Sequence, residues 1–160
     1  MSSNCKQQKS IVMKKFKTIL TAIAMLFAVS SFATEPEKVT QVVKTAFEED
    51  FSKATEVNWR KSNDFYFASF MLNNERVDAA YNEEGELVGT SRSITSEQMP
   101  LSVSLAIAEK YKGYKLANSV IELTYAGQTR YYVTIGDNRQ VLNLKCFSNG
   151  DIEVESKSKS

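Results

Sequence analysis

The chain contains no histidine, and that absence limits its chemistry before any motif is considered. Ser-His-Asp and Cys-His arrangements need an imidazole to take the proton of the nucleophile, so both are excluded. Zinc loses its usual nitrogen ligand, and the two cysteines cannot supply a thiolate set in its place. One of them, Cys5, falls in the N-terminal segment. The other, Cys146, sits in a strand pattern with Leu142 and Leu144, where a thiol packs as a small hydrophobe. No phosphate loop or dinucleotide fingerprint is present. The sequence therefore predicts no catalytic residue, no metal site and no cofactor.

Two groups of side chains remain. Glu83, Glu84 and Glu86 surround Gly85, with Asn82 beside them. Calcium binds oxygen-rich turns, but this spacing is not that of an EF-hand, and an acidic hairpin tip is ordinarily solvated. A small-ligand or calcium-binding periplasmic protein is accordingly the alternative functional expectation. The second group is aromatic: Trp59, Tyr66, Tyr81, Tyr125, Tyr131 and Tyr132 all fall in strand patterns. Two of those strands, Phe65 to Leu72 and Tyr131 to Ile135, are apolar on both faces. With helices on one face, Phe65, Phe67 and Tyr132 are left on the other, where aromatic surface marks a contact site. Asp78, Arg92 and Lys145 are the expected polar surround. These six residues form the expected partner-binding set; the competing expectation is that the sheet curls and buries the rings itself.

The elements that must position these residues can be traced along the chain. Residues from Pro36 to Phe51 carry Val39, Val42, Val43, Ala46, Phe47 and Phe51 at three- and four-residue steps, an amphipathic helix. The period then becomes two. Strands are expected over Thr55 to Arg60, Phe65 to Leu72, Arg76 to Tyr81 and Glu86 to Ile94, with turn residues between them. Met99-Pro100 opens a second helix, with Leu101, Leu105, Ala108 and Tyr111 expected along one side and Gly113 as its stop. Four further strands follow: Ala117 to Tyr125, Thr129 to Ile135, Gln140 to Phe147 and Asp151 to Glu155. Equivalent points, such as Gly85 and Gly150, predict an α+β fold made of a tandem repeat, each copy a helix plus four antiparallel strands, over 36–95 and 99–155. The helices are expected on one face of the sheet. Residues 156–160 alternate Ser and Lys and are expected to be a disordered tail.

The N-terminal segment has the form of an address. Met13-Lys14-Lys15-Phe16-Lys17 is basic, Ile19 to Val29 is an apolar run of about eleven residues, and Ser31-Phe32-Ala33 ends in small residues. This is the pattern of a cleaved signal peptide, with Met13 the expected start and residues 1–33 removed. The run is too short for a spanning helix, which needs about 20 residues. Cleavage takes away five lysines and no acid, leaving 15 basic against 19 acidic residues, a net charge of −4. No basic nucleic-acid footprint remains. Cys146 would then be alone, without an internal disulfide.

The helix ending at Phe47 and Phe51, Val57-Asn58-Trp59, Phe65-Tyr66-x-Ala68-x-Phe70, Ala80-Tyr81 with Gly85, and Met99-Pro100 leading to Tyr111-Lys112-Gly113-Tyr114 carry a resemblance. Over residues 36–155 the chain resembles exported bacterial PepSY-like proteins, also described as β-lactamase-inhibitor-like (BLIP-like) proteins. The resemblance implies a domain over 34–155 whose open sheet face binds another protein. It departs from the true β-lactamase inhibitor proteins in lacking their disulfides. The expected function is a non-catalytic exported binding module, protein-binding or inhibitor-like, acting on another envelope or secreted protein, with no nucleic acid and no membrane anchor after signal cleavage.

Overall fold

The computed structural model describes residues 39–159. The expected signal peptide, Cys5 and the Pro36 start of the first helix lie outside them. Helix α1 spans Gln41–Asp50. Thr40 is its N-cap: the hydroxyl accepts the Val43 amide at 3.3 Å, satisfying one of the first-turn donors that have no carbonyl partner inside a helix. Four strands follow, β1 (Thr55–Ser62), β2 (Phe65–Leu72), β3 (Glu75–Asn82) and β4 (Leu87–Thr95). A single 3-10 turn, Ser96–Gln98, leads to α2 (Leu101–Lys110). The last strands are β5 (Lys115–Tyr125), β6 (Gln128–Gly136), β7 (Gln140–Phe147) and β8 (Ile152–Lys159).

The tandem-repeat α+β class expected from the sequence is corrected by the sheet. All eight strands form one antiparallel sheet in the order β1 to β8. β4 and β5 pair from Gly89↔Tyr125 through Thr95↔Ser119, so the ladder runs unbroken across the place where one repeat should end. A four-strand unit would expose unpaired amides and carbonyls along its last strand; pairing β4 with β5 removes that edge. Among the described residues the fold is mostly β, with two ten-residue helices packed on the sheet. A second correction concerns the tail: β8 continues to Lys159, pairing Gln140 with Lys159, so residues 156–159 are strand.

Both helices cover the same face of the sheet. Val43 and Phe47 of α1 pack on Tyr66, Ala68, Phe70, Val77, Ala79 and Tyr81. The Phe47 ring meets Phe70 edge-on at 5.0 Å and Trp59 at 5.1 Å, geometries favoured by the aromatic quadrupole. Val103 and Ile107 of α2 pack on Val120, Val133, Leu144 and Cys146. The apolar side of α2 therefore differs from the one expected. Leu101 and Leu105 are 72% and 60% exposed, while Val103 and Ile107 face the sheet. The helix reads LSVSLAIAEK, apolar nearly all round, so its period alone could not choose the buried side.

Candidate binding face

Strand alternation places Phe65, Phe67 and Ser69 on the face opposite both helices, since their neighbours Tyr66, Ala68 and Phe70 enter the α1 core. The register carries that face across the sheet. Phe67 lies beside Ala80, Ala80 beside Gly89 and Gly89 beside Tyr125. Small residues next to Phe67 leave room for its ring, which is 2% exposed. The Arg60 guanidinium stacks over that ring, 4.8 Å from its centroid, an attraction between a cation and the negative ring face. Phe67 is thus a buried floor of this face rather than the open ring expected; Phe65 is half-buried.

A second aromatic group lies toward β8. Tyr132 pairs with Ile121 on one side and Lys145 on the other. It is half-buried, and burial raises its phenol above the ordinary tyrosine range, with Glu155 adding to the rise and Arg130 opposing it. Lys145 forms ion pairs with Glu153 at 2.7 Å and Glu155 at 3.9 Å. Its ammonium also sits 5.1 Å from the Phe147 centroid. Asp78 accepts a hydrogen bond from the Ser69 hydroxyl and is half-buried on the same face.

Arg92 does not join them. It lies beside Val77, which faces α1, so it projects from the helix-bearing face. Its Nε donates to Glu122 Oε1 at 2.7 Å and its Nη1 to Glu75 Oε2 at 3.0 Å. The hydrogen bond to Glu122 is the chief cause of a raised Arg92 pKa, with burial opposing it. Arg92 and Glu122 stand between the two apolar cores, the former beside Val77 and the latter beside Tyr131. The structure therefore gathers five of the six expected residues on one face and puts the sixth on the other.

The acidic turn is wired to itself. Asn82 accepts the Glu86 amide at 2.8 Å and donates to Glu86 Oε2 at 2.7 Å, while Glu83 pairs with Lys61 at 3.5 Å. Among the described residues no group of three or more Cys, Asp or Glu side chains is placed to hold a metal ion. Cys146 is fully buried, and that burial pushes its thiol up to about 11, with Lys110 opposing the shift.

Sequence reasoning missed Arg60, Arg130 and Phe147. Arg130 is buried, 5.8 Å from the Phe147 centroid. It precedes Tyr132 by two positions, so strand alternation puts it on the same face, and a lone cation in the Tyr131–Ile135 neighbourhood was the available signal.

The class defined by this arrangement is a single antiparallel eight-stranded sheet with helices on one face. The chain shares that fold with a DUF2874 family protein from Bacteroides uniformis, at 18% identity and a TM-score of 0.64, over 76% of this chain and 90% of that one. A BLIP-like protein from Bacteroides fragilis matches with the same TM-score of 0.64 at 17% identity, over 78% of this chain and 89% of that one. A protein provisionally named periplasmic, from Bacteroides eggerthii, matches at 16% identity and a TM-score of 0.64, over 77% of this chain and 90% of that one. No family model matches the chain, and no curated protein matches it. The likeness is one of fold. It includes a BLIP-like protein, whereas the PepSY-like part of the expected resemblance has no counterpart among these structures.

Proposed function

We propose that the protein is a non-catalytic exported binding module of the bacterial envelope, which docks another envelope or secreted protein on the sheet face opposite its helices. The observation that carries this reading is the row of cation-on-ring contacts on that face: Arg60 over Phe67, and Arg130 and Lys145 beside Phe147. Aromatic residues and arginine are the side chains enriched at the energetic centres of protein interfaces. Tyr132 and Phe65, both half-buried, flank these contacts and retain surface to give to a partner. The fold shared with a BLIP-like protein and a provisionally periplasmic protein of Bacteroides supports both the binding role and the location. No described helix is long and apolar enough to cross a membrane.

Crosslinking in intact cells followed by capture tests the proposal. The wild-type chain should recover a specific protein that a Phe65→Asp/Tyr132→Asp variant of unchanged fold does not. Recovery of the same proteins by both would show that this face is not the docking surface.

A further inference from the structure

Arg130 is 7% exposed, and among the described residues its Nε and Nη1 have no hydrogen-bond acceptor. Only Nη2 is engaged, donating to Gln128 Oε1 at 2.7 Å. The register places Arg130 between Leu123 and Phe147, neither of which can accept a hydrogen bond through its side chain. A buried guanidinium cannot relieve this by losing its proton, because arginine stays charged throughout the physiological range. An unpaired charge held away from water is among the costliest arrangements in a fold. The nearby carboxylates are already engaged: Glu153 and Glu155 hold Lys145, Asp151, which with Glu153 lines the groove beside Gln128, accepts from Asn149, and Asp78 holds Ser69. Gln128, which accepts from Arg130, and Phe147, whose ring Arg130 overlies, also line an open groove of about 880 Å³ between the β5–β6 turn, the β7–β8 turn and α2. Gln128 is exposed, so the acceptor of the guanidinium's one engaged nitrogen sits at the edge of that groove.

We propose that Arg130 is the receptor for one acidic side chain, an aspartate or glutamate, carried by the docked partner and entering through the groove beside Gln128. A carboxylate supplies the two missing acceptors, displaces the neutral Gln128 oxygen and neutralises the charge. Arginine matches a planar carboxylate better than any other side chain does. This inference rests on the docking face proposed above and adds the chemistry of its occupant: the partner presents a negative charge at the end of the sheet that carries the β5–β6 and β7–β8 turns.

The test titrates the protein with N-acetylglutamate N′-methylamide and, separately, with the uncharged N-acetylglutamine N′-methylamide, following arginine Nε–H signals by NMR. The acidic probe should shift one arginine signal saturably, and the neutral probe should leave it in place. Arg130→Met should abolish that signal, keep or raise Tm by removing an unpaired charge, and weaken partner capture by about tenfold or more. Equal shifts with both probes, or no shift with either, overturn the proposal. This comparison on the wild-type protein needs no variant, so it decides even if Arg130→Met fails to fold. If Phe65→Asp/Tyr132→Asp loses the partner while Arg130→Met retains it, the acidic-anchor proposal fails and the docking face stands. If both retain it, the face itself is wrong.

Discussion

The Tyr81 hydroxyl donates a 2.8 Å hydrogen bond to Asp50 Oδ2, tying the C-terminal end of β3 to the last residue of α1. Tyr81 is fully buried among the aromatics under α1, and its hydroxyl is the polar tip that reaches the helix end. An acid at a helix C-terminus meets the negative end of the dipole, so the donated bond offsets an unfavourable placement. Burial, then the Asp50 contact, raise the Tyr81 phenol well above its ordinary range. Tyr81→Phe should lower stability by about 1–2 kcal/mol, the usual worth of a hydrogen bond to a charged group when the acid can be rehydrated. Chemical denaturation measures it, and an unchanged midpoint would mean that the bond contributes nothing.

Each helix rests on a hairpin glycine. A Cβ at Gly85 would lie 3.0 Å from Val42 Cγ1, and one at Gly150 would lie 3.2 Å from the Ser102 carbonyl oxygen. Both glycines hold positive φ, +82° and +94°. Gly150→Ala should therefore cost both conformational strain of about 1–2 kcal/mol and a displaced helix backbone. At Gly127, φ is +72° but no atom lies within 4 Å of the added Cβ. Gly127→Ala should cost the strain alone, so thermal melts should rank Gly150→Ala as the more damaging. The reverse order would show that α2 does not bear on the turn.

Cys146 makes alkaline pH a probe of the α2 core. Its thiol rises from 9.0 to about 11 on burial, so the folded state keeps it neutral where the unfolded chain ionises it. The associated stability is full below pH 9 and is lost as pH rises through 11. With about 1.4 kcal/mol per unit, the loss is on the order of 3 kcal/mol. Tyr81, Tyr111, Tyr131 and Tyr132 are raised as well and act in the same sense above pH 10. Denaturation between pH 8 and 11 should show a smaller decline for Cys146→Ala than for wild type. The native thiol should also resist alkylation at pH 8 and react on unfolding.

The Arg92 network should matter less than its bond lengths suggest. The Arg92 side chain is 42% exposed and Glu75 47%, so water screens both. Glu122, at 22%, is the better shielded partner. Glu122→Gln should cost under about 1 kcal/mol and Glu75→Gln still less, both shrinking at high salt. A loss above about 2 kcal/mol for either would mean that the seam between the cores is drier than its exposure indicates.

The strands were legible because their apolar alternation has period two and Gly or Asn turns punctuate it; β2 spans Phe65–Leu72, where the pattern put it. The side of α2 that packs was not legible, because its apolar residues occupy every face and only Val103 and Ile107 meet the sheet. Arg92 was assigned to the aromatic face through charge alone, whereas its register beside Val77 sends it to the helix side. A one-residue change of register reverses the face of every side chain in a strand, so sequence proximity could not assign Arg92 without the pairing.

By itself the sequence determined the element types, the residues able to line two faces of a strand, and the absence of imidazole chemistry, because propensity, periodicity and composition are local properties. The tertiary structure decided that β4 and β5 join the strands into one sheet, that Phe67 lies buried beneath Arg60, and that Arg130 is enclosed with two donors unfilled. Those outcomes depend on hydrogen bonds and burial between residues far apart in the chain, which no local pattern encodes.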